Sequence, residues 1–158
     1  MGDHDFIKEV MAELGKIIFA QIEVNPGKST AFAILNKERE GGRDSVLHFA
    51  LSGNTTAAML GFETLVRPAL LKMRGLANKL PQVTAKAEKS FYNQGGKTRL
   101  VWTSLHQLDG FWAGRPASDE GQGVLQSIAF ANGIAVIAPE IRQIEVGESV
   151  QVIPLAWH

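Results

Sequence analysis

The chain of 158 residues has no cysteine, which excludes disulfides, thiolate catalysis and cysteine-ligated zinc, iron–sulfur or copper sites. It has no excess of either charge: sixteen lysine and arginine residues offset sixteen aspartate and glutamate residues. The balance also holds locally, with ten basic against nine acidic residues through position 80 and six against seven beyond it. No net field therefore draws either half to nucleic acid or to an anionic membrane. No stretch approaches the ~20 apolar residues of a membrane span. The opening MGDHDFIKEV is charged where a signal peptide needs an apolar run, which predicts a cytoplasmic protein. Repeats, heptads and low-complexity tracts are missing too. What remains, 45% hydrophobic and 20% charged side chains, suits a globular protein of one ordinary domain or two small ones.

Hydrophobic spacing supplies the elements. Phe6, Ile7, Val10, Met11 and Leu14 recur at three- and four-residue steps, predicting a short amphipathic helix that Gly15 stops. Ile17 to Val24 and Ala31 to Leu35 read as neighbouring antiparallel strands around the turn Asn25-Pro26-Gly27. Asn36 to Ser45, with three acidic, three basic and two glycine residues, has the composition of a solvated connecting loop. Val46 to Leu51 is almost wholly apolar, predicting a strand covered on both faces. A long helix follows, capped by Asn54 or Thr55, with Met59, Leu60, Phe62, Leu65, Val66, Leu70 and Met73 as its apolar stripe. Pro68 predicts a kink or restart near Val66, and Gly75 ends the helix. From about Lys79 the texture becomes β-rich, with strands expected at 83–89, 97–105, 110–114, 134–137 and 149–155 and a short helix at 123–130. The fold class expected is α/β: a partial nucleotide-binding-like layer over residues 1–79, then a small all-β unit over residues 80–158.

Three polar turns are candidates for chemistry: Gly2 to Asp5, Asn25 to Ser29 and Ser52 to Thr55. Ligands of open α/β sheets bind outside the carboxyl ends of the strands, so parallel strands ending at Val24 and Leu51 would bring the last two together. At Ser52-Gly53-Asn54 the amides opening the helix face outward, and Gly53 permits close approach by an anion; a plain capped turn is the ordinary alternative. Lys28 can offer a point charge to an oxyanion, or be an exposed hairpin lysine. The Walker pattern fails, because Ile22 stands where its first glycine is needed. Ser52 likewise lacks the glycine of a nucleophile elbow at Ala50, and Gly121-Gln122-Gly123 does not complete a dinucleotide fingerprint. Asp3, His4 and Asp5 suit either a divalent cation or simple helix capping. Arg99 and Arg115, on a strand and at a turn, can each reach an anion or remain solvated. His48 reads as a core or edge histidine, and the tryptophans as core or interface.

Read in order, GDHDFIKEV, VNPGKSTAF, FALSGNTTAAMLGFETLVRPALLKMRG, GGKTR and GQGVLQSIAFANGIAVI resemble the molybdopterin molybdenumtransferase family, which includes the C-terminal domain of gephyrin. The family pairs a GDxD-type helix start with a KPGKP-type turn and an LPGNP turn leading into a helix with VRPAL. The resemblance covers essentially the whole chain but less than half of the usual family length; the family's N-terminal domains and opening βα units are not encoded here. It implies a closed C-terminal β-barrel and insertion of molybdenum from molybdate into adenylylated molybdopterin, with release of AMP and a requirement for magnesium. It implies Asp5 as the catalytic carboxylate linked to that metal and Lys28 as the second lysine of the anion-binding turn. Ser52, Gly53 and Asn54 stand in the LPGNP turn, Arg99 resembles the basic residue of the C-terminal domain, and Ser127 the serine after its glycine turn. Asn25 replaces the first lysine of KPGKP, and Ser52 and Thr55 replace both prolines of LPGNP, removing positive charge and rigidity. The partners implied are molybdopterin-AMP and molybdate, with a homo-oligomer or a complementary N-terminal chain. The rival expectation is a non-catalytic remnant that binds molybdopterin or a partner without turnover.

Overall fold

The computed structural model describes residues 6–39, 42–76, 80–117 and 125–155. Helix α1 (Phe6–Leu14) leads into strand β1 (Gly15–Phe19), which pairs antiparallel with β3 (Ala31–Arg39); β3 pairs antiparallel with β4 (Gly42–Ala50). The sheet order is β1-β3-β4, so β1 and β4 are both edges. One sheet face, with Ala31, Ala33, Ile17 and Ala50, packs under Met11 of α1. The other carries an aromatic row in which Phe32 lies 5.8 Å from Phe19 and 4.6 Å from Phe49 between ring centroids.

Three expectations are corrected in this layer. Gly15 is the first residue of β1 rather than a helix stop: a β-carbon there would lie 2.2 Å from the Ile34 carbonyl oxygen, so glycine permits the close approach of two strands. The polar segment 36–45 is no mere connector, because β3 and β4 continue through it in unbroken register from Ala31↔Ala50 to Arg39↔Gly42. Beyond Leu35 the two strands pair only with each other in the described sheet. The apolar run at Val46 is an edge, with Val46 and Leu47 exposed, rather than a strand covered on both faces.

The long helix runs as α2 (Thr55–Gly61), a π-helical turn (Phe62–Val66) and α3 (Arg67–Met73). The irregularity expected from Pro68 takes this form: the Arg67 amide donates to the Phe62 carbonyl, and Pro68 sits in the first turn of α3, where a missing amide costs least. Inside the turn Glu63 is buried, and its carboxylate accepts from the Arg67 guanidinium at 2.8 Å. Gly75, at φ +70°, terminates the helix, with the Gly75 and Leu76 amides donating to the Lys72 and Leu71 carbonyls.

The second half is a closed barrel of β5 (Val83–Ala87), β7 (Thr98–Leu108), β8 (Phe111–Pro116), β9 (Gly133–Ile137) and β11 (Ser149–Pro154), in the order β7-β8-β5-β11-β9 and back to β7. Between these strands lie β6 (Phe91–Tyr92), α4 (Gln126–Ala129) and β10 (Gln143–Ile144). Alternation along β7 sends Val101 and Leu105 inward to Ala85, Ala135, Ile137 and Val152, and Leu100 and Trp102 outward. Those outward residues pack with Leu60 of α2, together with Ile134 and Ile153, so helix and barrel share a core. β2 (Val24–Asn25) is not the end of the first strand but a short parallel addition to β7, which ties the first half to the barrel sheet. No helix among the described residues is long and apolar enough to cross a membrane.

Candidate functional site

The Asn25–Ser29 turn leaves β2 through a cis Asn25–Pro26 bond and passes Gly27 at φ +112°, a value that favours glycine. The Thr30 amide closes it onto the Gly27 carbonyl at 3.0 Å and the Ile22 amide onto the Lys28 carbonyl at 3.1 Å, leaving the Lys28 side chain exposed. Thr30 itself is fully buried, and its hydroxyl has no hydrogen-bond partner among the described residues. Sequence reading passed over Thr30, because nothing in a threonine before a strand announces its burial.

The second turn is organised by Asn54. Its side-chain oxygen accepts from the Ala57 amide at 3.2 Å and the Thr56 hydroxyl at 2.7 Å, which makes Asn54 the N-cap of α2. The Ser52 hydroxyl accepts from the Asn54 amide at 3.3 Å, and the space beside Gly53 is open. The two turns adjoin: a β-carbon on Gly27 would lie 3.9 Å from the Ala57 carbonyl oxygen. This neighbourhood does not arise from adjacent parallel strands, since β1 ends at Phe19 and β3 separates it from β4. It arises because the turn is pinned to β7 and α2 packs on the same barrel wall.

Arg99 reaches this region from the barrel. The register β2 to β7 sets Asn25 opposite Arg99, so their side chains leave the same face of the sheet. That face is the barrel interior at its mouth, shared with Ile137, whereas Leu100 and Trp102 face α2. The Arg99 Nε is buried without a hydrogen-bond partner among the described residues, and desolvation by burial lowers the guanidinium pKa. An anion at the mouth would satisfy it.

Two of the remaining candidates lie on other described elements. Ser127 is buried in α4 at 2% exposure. Arg115 is an exposed residue of β8. Asp5, with Asp3 and His4, lies outside the described residues. Among the described residues there is no group of three or more histidine, aspartate or glutamate side chains able to hold a metal. His48 lies on the edge strand β4, and His106 of β7 contacts Glu88, just beyond β5, at 3.3 Å, a contact that sequence spacing does not reveal. Asn132 was also missed: it accepts from the Leu105 amide at 2.6 Å and donates to the Leu105 carbonyl at 2.7 Å, fastening the α4–β9 connection to β7.

Comparison with known proteins bears on both halves. Residues 1–72 match the family described as "Probable molybdopterin binding domain", and residues 84–155 the family described as "MoeA C-terminal region (domain IV)". Proteins named molybdopterin molybdenumtransferase from Nostoc sp. and Bacillus subtilis are 28% and 30% identical over 98% and 97% of the chain. The chain spans about a third of the length of these curated relatives, 35% and 34%. A solved molybdopterin biosynthesis MoeA protein from Pyrococcus horikosii shares the fold with a TM-score of 0.71 at 24% identity, covering 95% of this chain and 34% of that one. One from Pyrococcus furiosus, titled a molybdenum cofactor biosynthesis protein, gives 0.66 at 21% identity, covering 96% and 55%. With the two family matches in sequence order, the relatives matched over nearly the whole chain and the shared fold, the chain belongs to the molybdopterin molybdenumtransferase family.

Proposed function

We propose that this chain acts in molybdenum cofactor biosynthesis, holding the oxyanion groups of molybdate and adenylylated molybdopterin while molybdenum is inserted and AMP leaves. The observation that carries this reading is the adjacency of the Asn25–Ser29 turn and the opening of α2, with Arg99 on the strand that pairs with β2. Lys28 contributes a mobile positive charge, Arg99 a guanidinium already stripped of part of its water, and Gly53 a backbone that a ligand can approach closely. The chemistry asks for charge neutralisation and alignment of tetrahedral oxyanions, so no side-chain nucleophile is required. Asn25 in place of a lysine leaves Arg99 without a like charge on the same sheet face, so the site takes its positive charge from Lys28 and Arg99.

Calorimetric titration of the chain with molybdate, with AMP and with a molybdopterin preparation tests this. Saturable binding is expected, weakened on the order of tenfold or more in Lys28→Ala, the scale of one hydrogen bond to a charged group. AMP release from the adenylylated substrate supports transfer; binding without release supports the non-catalytic role of holding molybdopterin. No binding, or binding indifferent to Lys28→Ala, rejects the site.

A further inference from the structure

We infer that Thr30 is a positioning residue of the oxyanion site, its hydroxyl making its hydrogen bond only when the Asn25–Ser29 turn holds a ligand. The inference rests on the reading of that site given above and adds to it a residue that does not touch the ligand.

Elsewhere the chain pairs its buried threonine hydroxyls. Thr56 donates to the Asn54 side-chain oxygen at 2.7 Å, and Thr103 donates to the Val101 carbonyl at 2.8 Å and accepts from the Ala135 amide at 3.2 Å. Thr30 is as deeply buried, at 0% exposure, yet its hydroxyl has no partner among the described residues. A hydroxyl left dry and unsatisfied penalises the fold. Packing alone does not call for it, because Thr30 leads into β3, where valine offers the same branched shape without the penalty.

Two glycines flank this hydroxyl. A β-carbon on Gly27 would lie 3.9 Å from Thr30 Oγ1, and one on Gly61 3.5 Å, so the oxygen sits between the turn and α2 with no side chain from either glycine. The same position on Gly27 lies 3.9 Å from the Ala57 carbonyl oxygen, which marks the seam where the turn rests on the helix. The Thr30 amide closes the turn onto the Gly27 carbonyl, and Lys28 is exposed, so one short loop points its charge outward and this hydroxyl inward.

A hydroxyl rotates to donate to an acceptor that comes within reach, and the Ala57 carbonyl lines this seam. When an oxyanion draws Lys28 in, a small shift of the turn over α2 lets Thr30 donate to that backbone and fix the bound geometry. A bond made only in the bound state adds to affinity and not to the stability of the free chain. That difference separates positioning from packing.

The test is calorimetry with molybdate, and urea denaturation of the free chain, on wild type, Thr30→Val, Thr30→Ser and Lys28→Ala. Thr30→Val should bind molybdate about threefold to tenfold more weakly, the worth of one neutral hydrogen bond, while its urea midpoint stays or rises. Thr30→Ser keeps the hydroxyl and should bind within about twofold of wild type, although loss of the methyl lowers its midpoint. Wild-type affinity in Thr30→Val, where Lys28→Ala weakens binding, overturns the role of Thr30 and leaves the site standing. A lowered midpoint in Thr30→Val, or a serine variant that binds as poorly as the valine one, overturns it too, since the side chain would then serve packing. Where wild type does not bind, or Lys28→Ala binds unchanged, the site itself fails and this inference falls with it.

Discussion

Arg99 sets the terms at the scale of single residues. A guanidinium whose Nε is buried without a hydrogen-bond partner among the described residues is penalised by folding, and its lowered pKa has the same cause. The sign follows: the penalty is present wherever the group is charged, below its lowered folded pKa, and fades only as strongly alkaline pH removes the charge. Arg99→Met should therefore leave stability in urea unchanged or raise it by up to about 1 kcal/mol, while oxyanion affinity in calorimetry falls. A loss of stability with affinity intact would mean that Arg99 is a structural residue. Lys28, Gly53 and Arg99 were open to proposal from the sequence because their residue types and local pattern suit an anion. Thr30, Glu63 and Asn132 were not: Glu63 owes its role to the π-helical turn that buries it beside Arg67, and Asn132 to a strand 27 positions away.

Among the elements, those with a strong internal period were read correctly from sequence: the helix through 55–73 and strands β5, β7, β8, β9 and β11. Those misread depend on neighbours. The charged β3–β4 extension has no apolar alternation to betray it, and β2 and β6 are two-residue pairings defined only by partners far along the chain. Gly15 shows how the error can be checked. As a helix stop it would accept alanine at small cost, whereas the observed approach puts a new β-carbon against the Ile34 backbone, where no flexible side chain can yield. Gly15→Ala should cost on the order of 1–3 kcal/mol in chemical denaturation, by separating β1 from β3. A change within about 0.5 kcal/mol would return Gly15 to the role of a surface turn residue.

Across the whole molecule, the two halves are joined by the core between α2 and the barrel wall. Leu60 and Ile134 are both at 0% exposure and Trp102 at 1%, and the parallel pairing of β2 with β7 holds the same seam. This seam also sets the proposed oxyanion site, since it fixes α2 against the Asn25–Ser29 turn. If the shared core makes helix and barrel one cooperative unit, far-ultraviolet and near-ultraviolet circular dichroism should report a single thermal transition, with Trp102 as a natural probe of the seam. Leu60→Ala should then lower stability by about 2–5 kcal/mol, the cost of a buried leucine cavity, and move both transitions together. Should the near-ultraviolet signal melt well before the far-ultraviolet one, the barrel would be folding independently of the helix, and the site would rest on a hinge rather than on a common core.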